Sequence, residues 1–344
     1  MPLELPYDFK IKELCQYLRI GGYKRILVQL PEGVKQYASI ITREIESECK
    51  VEVIISGDPS WGACDIPIFE AKRIGINLIV HYGHYPYSYN PVHHDMGVDV
   101  LYIPMEYKGE ITYEALDEVR RLLREKNLNN PLVVATAQHL REAKRIVDEL
   151  KKMGINAKLP EAYGTLPGLI IGCDYRVITQ TPDASSDSVI VISSGLFHAL
   201  GAALATNKPV LQIDPYLMKV TSLEEAKTSW LKKRYGVIYK ALDATRWAIW
   251  IGALYGQARF DYAKYIANLI ERRGGSYFII YSRYVTQREL LSVDSQEIDV
   301  HVITSCPRIP IDDFTLIDFP KPVLTPGEAI MILTNQLDTY RFPW

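Results

Sequence analysis

Three stretches of this chain begin with the same order of elements, and that repetition limits the fold more than any single motif. Apolar, β-branched runs open at "RILVQLPEG" (25–33), "PLVVATAQH" (131–139) and "WAIWIGALYGQAR" (247–259), about 106 and 116 residues apart. Each is followed by a helical stretch ("VKQYASIITREIES", "LREAKRIVDELKKMG", "FDYAKYIANLIERRG") and a second strand pattern ("VEVIISG", "NAKLPEA", "SYFIIYS"). Third strands follow at "NLIVHYGH", "SVIVISSG" and "VHVITSCP", and fourth strands at "VLYIP", "PVLQIDP" and, more weakly, "KPVLTP". Alternating short apolar runs and helical periods predict α/β architecture with parallel sheets. Any doubly wound protein alternates in this way. The recurrence of the whole order favours three homologous domains around a centre, each a small parallel sheet with flanking helices, over 1–112, 113–221 and 222–344.

In parallel sheets a ligand site forms beyond the carboxyl ends of the strands, where helix N-termini and loop groups converge. The polar residues at those predicted ends are Gln29 and Gly33, then Gln138, then Gln257 and Arg259, after the three first strands. His84, Gly195, His198 and Cys306 follow third strands, and Asp214 ends a fourth. A histidine near a strand end is more often a hydrogen-bonded structural residue than a ligand contact, and His93 and His94 in "NPVHHDMG" read as loop residues.

Five cysteines, an odd count spread over 344 residues, do not resemble a secreted disulfide framework, so reduced thiols are expected. Cys15 shares a helical face with Ile11, Leu14 and Leu18 and reads as packing, and Cys49, ending a helical stretch, reads as structural. The other three fall one per repeat: Cys64 in "WGACD", Cys173 in "GLIIGCDY" and Cys306 in "TSCPRIP". Three unrelated core cysteines and a shared metal or cluster weigh evenly on the residues alone. Zinc spacings such as C-x₂-C and H-E-x-x-H are absent. The radical S-adenosylmethionine pattern C-x₃-C-x₂-C is absent too. A 4Fe-4S cluster on three thiolates leaves one iron open to a substrate, which suits catalysis better than electron transfer alone.

Composition narrows the setting without naming a partner. A net charge of −2, with 48% apolar and 23% charged residues, describes a globular chain with no bulk attraction to nucleic acid or anionic membrane. The N-terminus lacks signal-peptide order and no apolar run reaches a membrane span, so a cytoplasmic location is expected.

Taken together, "PEGV", "WGACD", "TAQH", "IGCDY", "SSGLFHALG", "IDPY", "GQAR", "SCPRIPIDD" and "KPVLTPGEA" resemble the archaeal 2-(3-amino-3-carboxypropyl)histidine synthases, which carry out the first step of diphthamide biosynthesis. The resemblance runs from about residue 23 to 333. It implies a pseudo-threefold arrangement of the domains around a central 4Fe-4S cluster ligated by Cys64, Cys173 and Cys306. It also implies a homodimer, an electron donor yet to be identified and S-adenosylmethionine as cosubstrate. The 3-amino-3-carboxypropyl group is expected to move by a radical route to C2 of a histidine of elongation factor 2. Under that expectation the amide N–H groups of "SSGLFHALG" suit the methionyl carboxylate and Asp214 the amine. Gln29, Gly33, His84, Gln138, Gly195, His198, Gln257 and Arg259 are further contact candidates, and "WLKKRY" is a minority candidate for docking the protein substrate. Two alternatives share the layout: a quinolinate synthase-like enzyme using the open iron as a Lewis acid, and a non-catalytic cluster-bearing subunit.

Overall fold

The computed structural model describes residues 5–87, 97–315 and 319–344, so His93 and His94 lie outside the described residues. By contact density the chain forms two units. One is Met1–Gly109 together with Ala137–Arg141 and Leu254–Gly256, and the other is the remainder.

The first unit runs β1 (Tyr7–Asp8), α1 (Ile11–Gly21), β2 (Arg25–Gln29), a 3₁₀ segment (Glu32–Tyr37), α2 (Ala38–Cys49), β3 (Glu52–Ile55), α3 (Ile68–Arg73), β4 (Leu78–Tyr82), β5 (Asp99–Ile103) and β6 (Glu106–Tyr107). β3, β2, β4 and β5 pair in that order, all parallel, and β1 pairs antiparallel with β6. The near-continuous apolar run of β2 follows from burial on both faces. Ile26 and Val28 join Leu14, Leu18, Ile41 and Ile45 of α1 and α2, while Leu27 and Ile79 meet Ile66, Ile68 and Ala71 on the other face.

In the second unit α4 (Tyr113–Glu125), β7 (Pro131–Ala135), α5 (Leu140–Lys152), α6 (Arg176–Thr179), β8 (Ser188–Ile192), α7 (Phe197–Ala205), β9 (Val210–Asp214) and β10 (Lys219–Ser222) build one sheet; the first residues of α5 group with the other unit. Its order is β10-β9-β8-β7, parallel except for the antiparallel β10. The expected second strand, "NAKLPEA", is not a strand. Single parallel bridges, Leu132 with Lys158 and Ala135 with Leu169, cover that edge of β7 instead. Pro160 and the turns at Gly164 and Gly168, both at positive φ, interrupt any continuous ladder.

The chain then adds α8 (Glu224–Lys240), β11 (Arg246–Gly252), α9 (Phe260–Arg272), β12 (Ser276–Ser282), α10 (Gln287–Val293), β13 (Val300–Ile303), β14 (Val323–Leu324) and α11 (Pro326–Thr334). Its parallel sheet, β12-β11-β13-β14, repeats the order of the first sheet, with the second strand outside the first, then the third and fourth. Among the described residues, no helix is long and apolar enough to cross a membrane.

One expectation fails clearly. Cys15 and Cys49 are not reduced, separate packing residues: they form a disulfide, with Cα atoms 4.7 Å apart, that joins α1 to the end of α2. Each cysteine had been read against its own helix, and the pairing arises only because α1 and α2 pack side by side on β2. Closing a loop of 34 residues stabilises by roughly 3–4 kcal/mol.

The third sheet is tied by a buried ion pair. Arg234 of α8 donates Nε to Glu328 Oε1 (2.8 Å) and Nη2 to Oε2 (2.6 Å), with side chains 1% and 0% exposed. Arg234 also reaches the carbonyls of Pro310 (3.0 Å) and Val323 (2.8 Å), and Tyr340 donates its hydroxyl to Glu328 (2.7 Å). Glu328 closes the capping box of α11 with Thr325. One guanidinium therefore holds α8, α11, β14 and the segment after Cys306. Arg234→Ala, which leaves the Glu328 carboxylate buried without its cation, is expected to cost about 3–5 kcal/mol in denaturant unfolding; a loss under about 1 kcal/mol contradicts this role.

Candidate functional site

The three cysteines outside the disulfide lie in loops at the carboxyl side of the sheets. Cys64 belongs to the first unit and Cys173 and Cys306 to the second. Among the described residues, no group of three or more His, Cys, Asp and Glu side chains gathers as a single metal ion requires. An iron–sulfur cluster takes its thiolates one per iron, so its ligands need not crowd around one point.

In the first unit the Cys64 loop is braced from several sides. Lys35 donates to Asp58 O (2.5 Å) and Glu32 accepts from Ser60 N (3.1 Å), so the "PEG" turn holds the start of the loop. Gly256 N donates to Cys64 O at 2.7 Å. Gln29 donates Nε2 to Asp65 O (2.7 Å), so its Oε1 accepts from His81 Nδ1 (2.7 Å). Burial holds His81 neutral, well below its usual range, so its Nε2 accepts from His84 Nδ1 (2.9 Å). This relay leaves the lone pair of His84 Nε2 directed toward the loop, where a Cβ on Gly62 would lie 3.6 Å away. Gly62, at φ 138°, is a position that favours glycine for its backbone.

Several expected contacts therefore have structural duties. Gln29 uses both ends of its amide within this relay, and Gln138 donates Nε2 to Gly83 O. Gly33 is exposed in the 3₁₀ segment with open space where a Cβ would be.

In the second unit Cys173 and Cys306 are electrostatic neighbours. Burial, reinforced by the Cys173 thiol, pushes the Cys306 thiol up to about 12, while Arg308 and Arg259 pull it down. Isolated, Cys306 is a poor thiolate, and the two guanidiniums partly offset its burial. Its carbonyl accepts from Ile309 N (3.2 Å), which starts a π-helical turn over Ile309–Asp313. Gly172 lets Phe197 pack against the Cys173 loop, since a Cβ there would fall 2.1 Å from the ring.

Arg259 stacks its guanidinium 3.8 Å from the Trp344 ring, and Trp344 Nε1 donates to Cys173 O at 3.1 Å. Gln257 is buried and accepts from Arg259 N at its carbonyl (2.9 Å). Gly195, at φ 63°, and half-buried His198 flank the start of α7; Gln212 fixes that loop by donating to Ser193 O (3.0 Å) and Gly195 O (2.6 Å). Asp214 Oδ1 accepts from Tyr216 N (2.9 Å) and Leu217 N (3.1 Å), capping the β9–β10 turn.

Residues not singled out in the sequence complete these surroundings. Tyr175, two positions after Cys173, is fully buried beside both Cys173 and Cys306, and its phenol is held protonated by burial and their charge. The "CDY" spacing was its only sequence signal. Trp344, His81 and Gln212 had none.

The loops after β7 and β11, Ala137–Arg141 and Leu254–Gly256, group by contact with the first unit rather than with their own sheets.

Known proteins resemble this chain over nearly its whole length. The model of the family described as "Putative diphthamide synthesis protein" matches residues 30–342. The chain is 31% identical to the 2-(3-amino-3-carboxypropyl)histidine synthase of Pyrococcus horikoshii, covering 98% of this chain and 93% of that protein. It is 28% identical to subunit 1 of the human synthase, covering 96% of this chain and 72% of the relative. The crystal structure of Dph2 from Pyrococcus horikoshii with a 4Fe-4S cluster superposes with a TM-score of 0.82 at 30% identity, over 97% of this chain and 93% of that one.

The buried histidines predict an acid sensitivity. Burial lowers His84 to about 4 and holds His81 well below its usual range. An unfolded imidazole titrates near 6.5. Between those values the unfolded chain binds protons that the folded chain does not, so this stability is fully present above pH 6.5 and is lost as pH falls toward 4. Each histidine contributes a slope of up to about 1.4 kcal/mol per pH unit. Urea unfolding from pH 7 to 5 is expected to show a shallower slope for His84→Gln than for the parent chain; equal slopes contradict the relay.

The family model, the synthase relative and the shared fold all lead to one assignment: this chain belongs to the diphthamide synthesis protein family.

Proposed function

We propose that the chain transfers the 3-amino-3-carboxypropyl group of S-adenosylmethionine to C2 of a histidine imidazole of elongation factor 2, with Cys64, Cys173 and Cys306 as the thiolate ligands of one 4Fe-4S cluster. The observation that carries the proposal is the fold match, at 30% identity over nearly the whole chain, to a Dph2 that holds such a cluster. The donor set fits: three cysteines outside the disulfide, one from the loops of each sheet, with Cys173 an electrostatic neighbour of Cys306 and two guanidiniums beside Cys306. Soft thiolates select iron–sulfur clusters over hard cations. The family assignment favours this activity over the quinolinate synthase-like alternative. We further take the three sheets as three repeated domains, and the working protein as a cytoplasmic homodimer served by a separate electron donor.

When bound, the cluster supplies the electron that breaks the bond between the sulfonium and the γ-carbon and releases methylthioadenosine. The chain's own residues bind and orient. Arg259, held flat on Trp344, offers its guanidinium edge to the methionyl carboxylate. The loop at Gly195, with His198 as the second residue of α7, supplies backbone N–H donors to the same carboxylate. Asp214 takes the amine through the oxygen that its turn does not use. Gln257 and His84 are further contact candidates. Addition of the aminocarboxypropyl radical to C2 would release one proton and one electron, the electron returning to the oxidised cluster, so the transfer would be redox-neutral. Orientation of the sulfonium, rather than its intrinsic reactivity, decides which carbon–sulfur bond breaks.

Anaerobic reconstitution tests the ligand set. Cys64→Ala, Cys173→Ala and Cys306→Ala are each expected to lose the brown iron–sulfur absorption. Cys15→Ala keeps it while losing the roughly 3–4 kcal/mol of its disulfide. With dithionite, S-adenosylmethionine and elongation factor 2, the parent chain should release methylthioadenosine in step with one modified histidine. Release of 5′-deoxyadenosine instead overturns the bond choice.

A further inference from the structure

The third sheet ends in an edge strand that lacks the usual protection. β12, "SYFIIYS", is seven residues long and, among the described residues, pairs only with β11. Phe278 is 40% exposed, Ile279 36% and Tyr281 68%. Edge strands normally carry a charge, a proline or a short length, because an open row of N–H and C=O groups invites another strand. The other edges of the three four-stranded sheets obey this. β3 carries Glu52, β5 Asp99 and β10 Lys219; β7 begins with Pro131 and is covered by bridges; β14 is two residues long. β12 has none of these devices.

The direction of its backbone groups is fixed by its pairing with β11. Ser276 N donates to Thr245 O and Ala253 N to Ser282 O, both at 2.8 Å, so the even-numbered residues face β11. In a parallel pair, alternate residues turn both their N–H and C=O to the same side. Tyr277, Ile279 and Tyr281 therefore present theirs to the open edge.

The sequence of the strand reads nearly the same in both directions. About Ile279, Ser276 mirrors Ser282, Tyr277 mirrors Tyr281, and Phe278 mirrors Ile280. An isologous contact about a two-fold axis requires a surface that is complementary to itself. An antiparallel pair of β12 strands with Ile279 opposite Ile279 sets each tyrosine opposite a tyrosine and each serine opposite a serine. In that register every outward N–H and C=O of Tyr277, Ile279 and Tyr281 is paired, with no charge brought against a like charge. A one-residue shift would break both matches at once. α9, packed on β12, adds exposed Phe260 and Tyr265 beside the strand, area that an edge contact alone lacks for a stable dimer.

We infer that β12 is the surface through which two copies of this chain associate, by antiparallel pairing centred on Ile279 that joins their third sheets. The inference rests on the proposed two-copy assembly and names its surface; it does not depend on the cluster.

Light scattering and chemical cross-linking of the full chain test it. The parent chain is expected to be a dimer. Ile279→Lys, which sets two ammonium groups against each other at the axis, is expected to be a folded monomer by light scattering and circular dichroism. Leu217→Lys, a charge on an exposed turn residue, is expected to remain dimeric. Register is read by oxidation. Opposed residues lie about 5.5 Å apart, within disulfide reach, so Ile279→Cys should give a reducible covalent dimer. Tyr281→Cys, about four residues or roughly 13 Å from its copy, should not. If Ile279→Lys does not fold, the cysteine pair decides. A monomeric parent chain, a dimeric Ile279→Lys, no cross-link at Ile279→Cys or an equal one at Tyr281→Cys each overturns the inference. Iron–sulfur absorption is recorded on the same samples: its loss in the parent chain fails the cluster reading, whereas a monomer that keeps it fails only this one.

Discussion

Parallel strand pairing is the constraint on which the rest of this protein depends. A parallel sheet must return each chain over its face through a helix, so both faces are covered and every strand points its carboxyl end the same way. Loops leaving those ends are the one place where backbone groups, helix starts and side chains from distant sequence collect. Cys64, Cys173 and Cys306 all sit in such loops. Each of the three loops carries a single cysteine, with no second cysteine close to it in sequence.

Loops are soft, and these are stiffened by buried polar contacts rather than by more core. The Gln29–His81–His84 relay and the Glu32–Lys35 turn hold the Cys64 loop. Trp344 holds the carbonyl of Cys173 while fixing Arg259. Arg234 and Glu328, fully buried, hold Pro310 and so the turn after Cys306. The Arg234–Glu328 pair has hydrogen-bond partners at both ends, the condition under which a buried network rigidifies its surroundings instead of weakening them.

Most of the fold was legible because its signal is periodic. The first, third and fourth strands of each repeat fall where their apolar runs place them, and only the second strand of the middle repeat is reduced to bridges around Pro160. Of the proposed site, sequence position singled out Cys64, Cys173 and Cys306, and their role as ligands is part of the proposal. Gln29 and Gln138 were found by position, yet their amides are engaged with the backbone of neighbouring loops, which no position argument reveals. Trp344 and the Cys15–Cys49 disulfide were invisible for the same reason: each depends on packing between segments distant in sequence. Pairwise proximity is a property of the folded chain, whereas strand period is a property of the sequence itself.

The central claim is that three cysteines from three repeated sheets hold one cluster and leave one iron for the substrate. Mössbauer spectroscopy of the reconstituted chain, recorded with and without S-adenosylmethionine, tests it most directly. A single iron site whose isomer shift changes on adding S-adenosylmethionine, with the other irons unchanged, is the predicted result. Four irons that are all insensitive to S-adenosylmethionine would contradict the account.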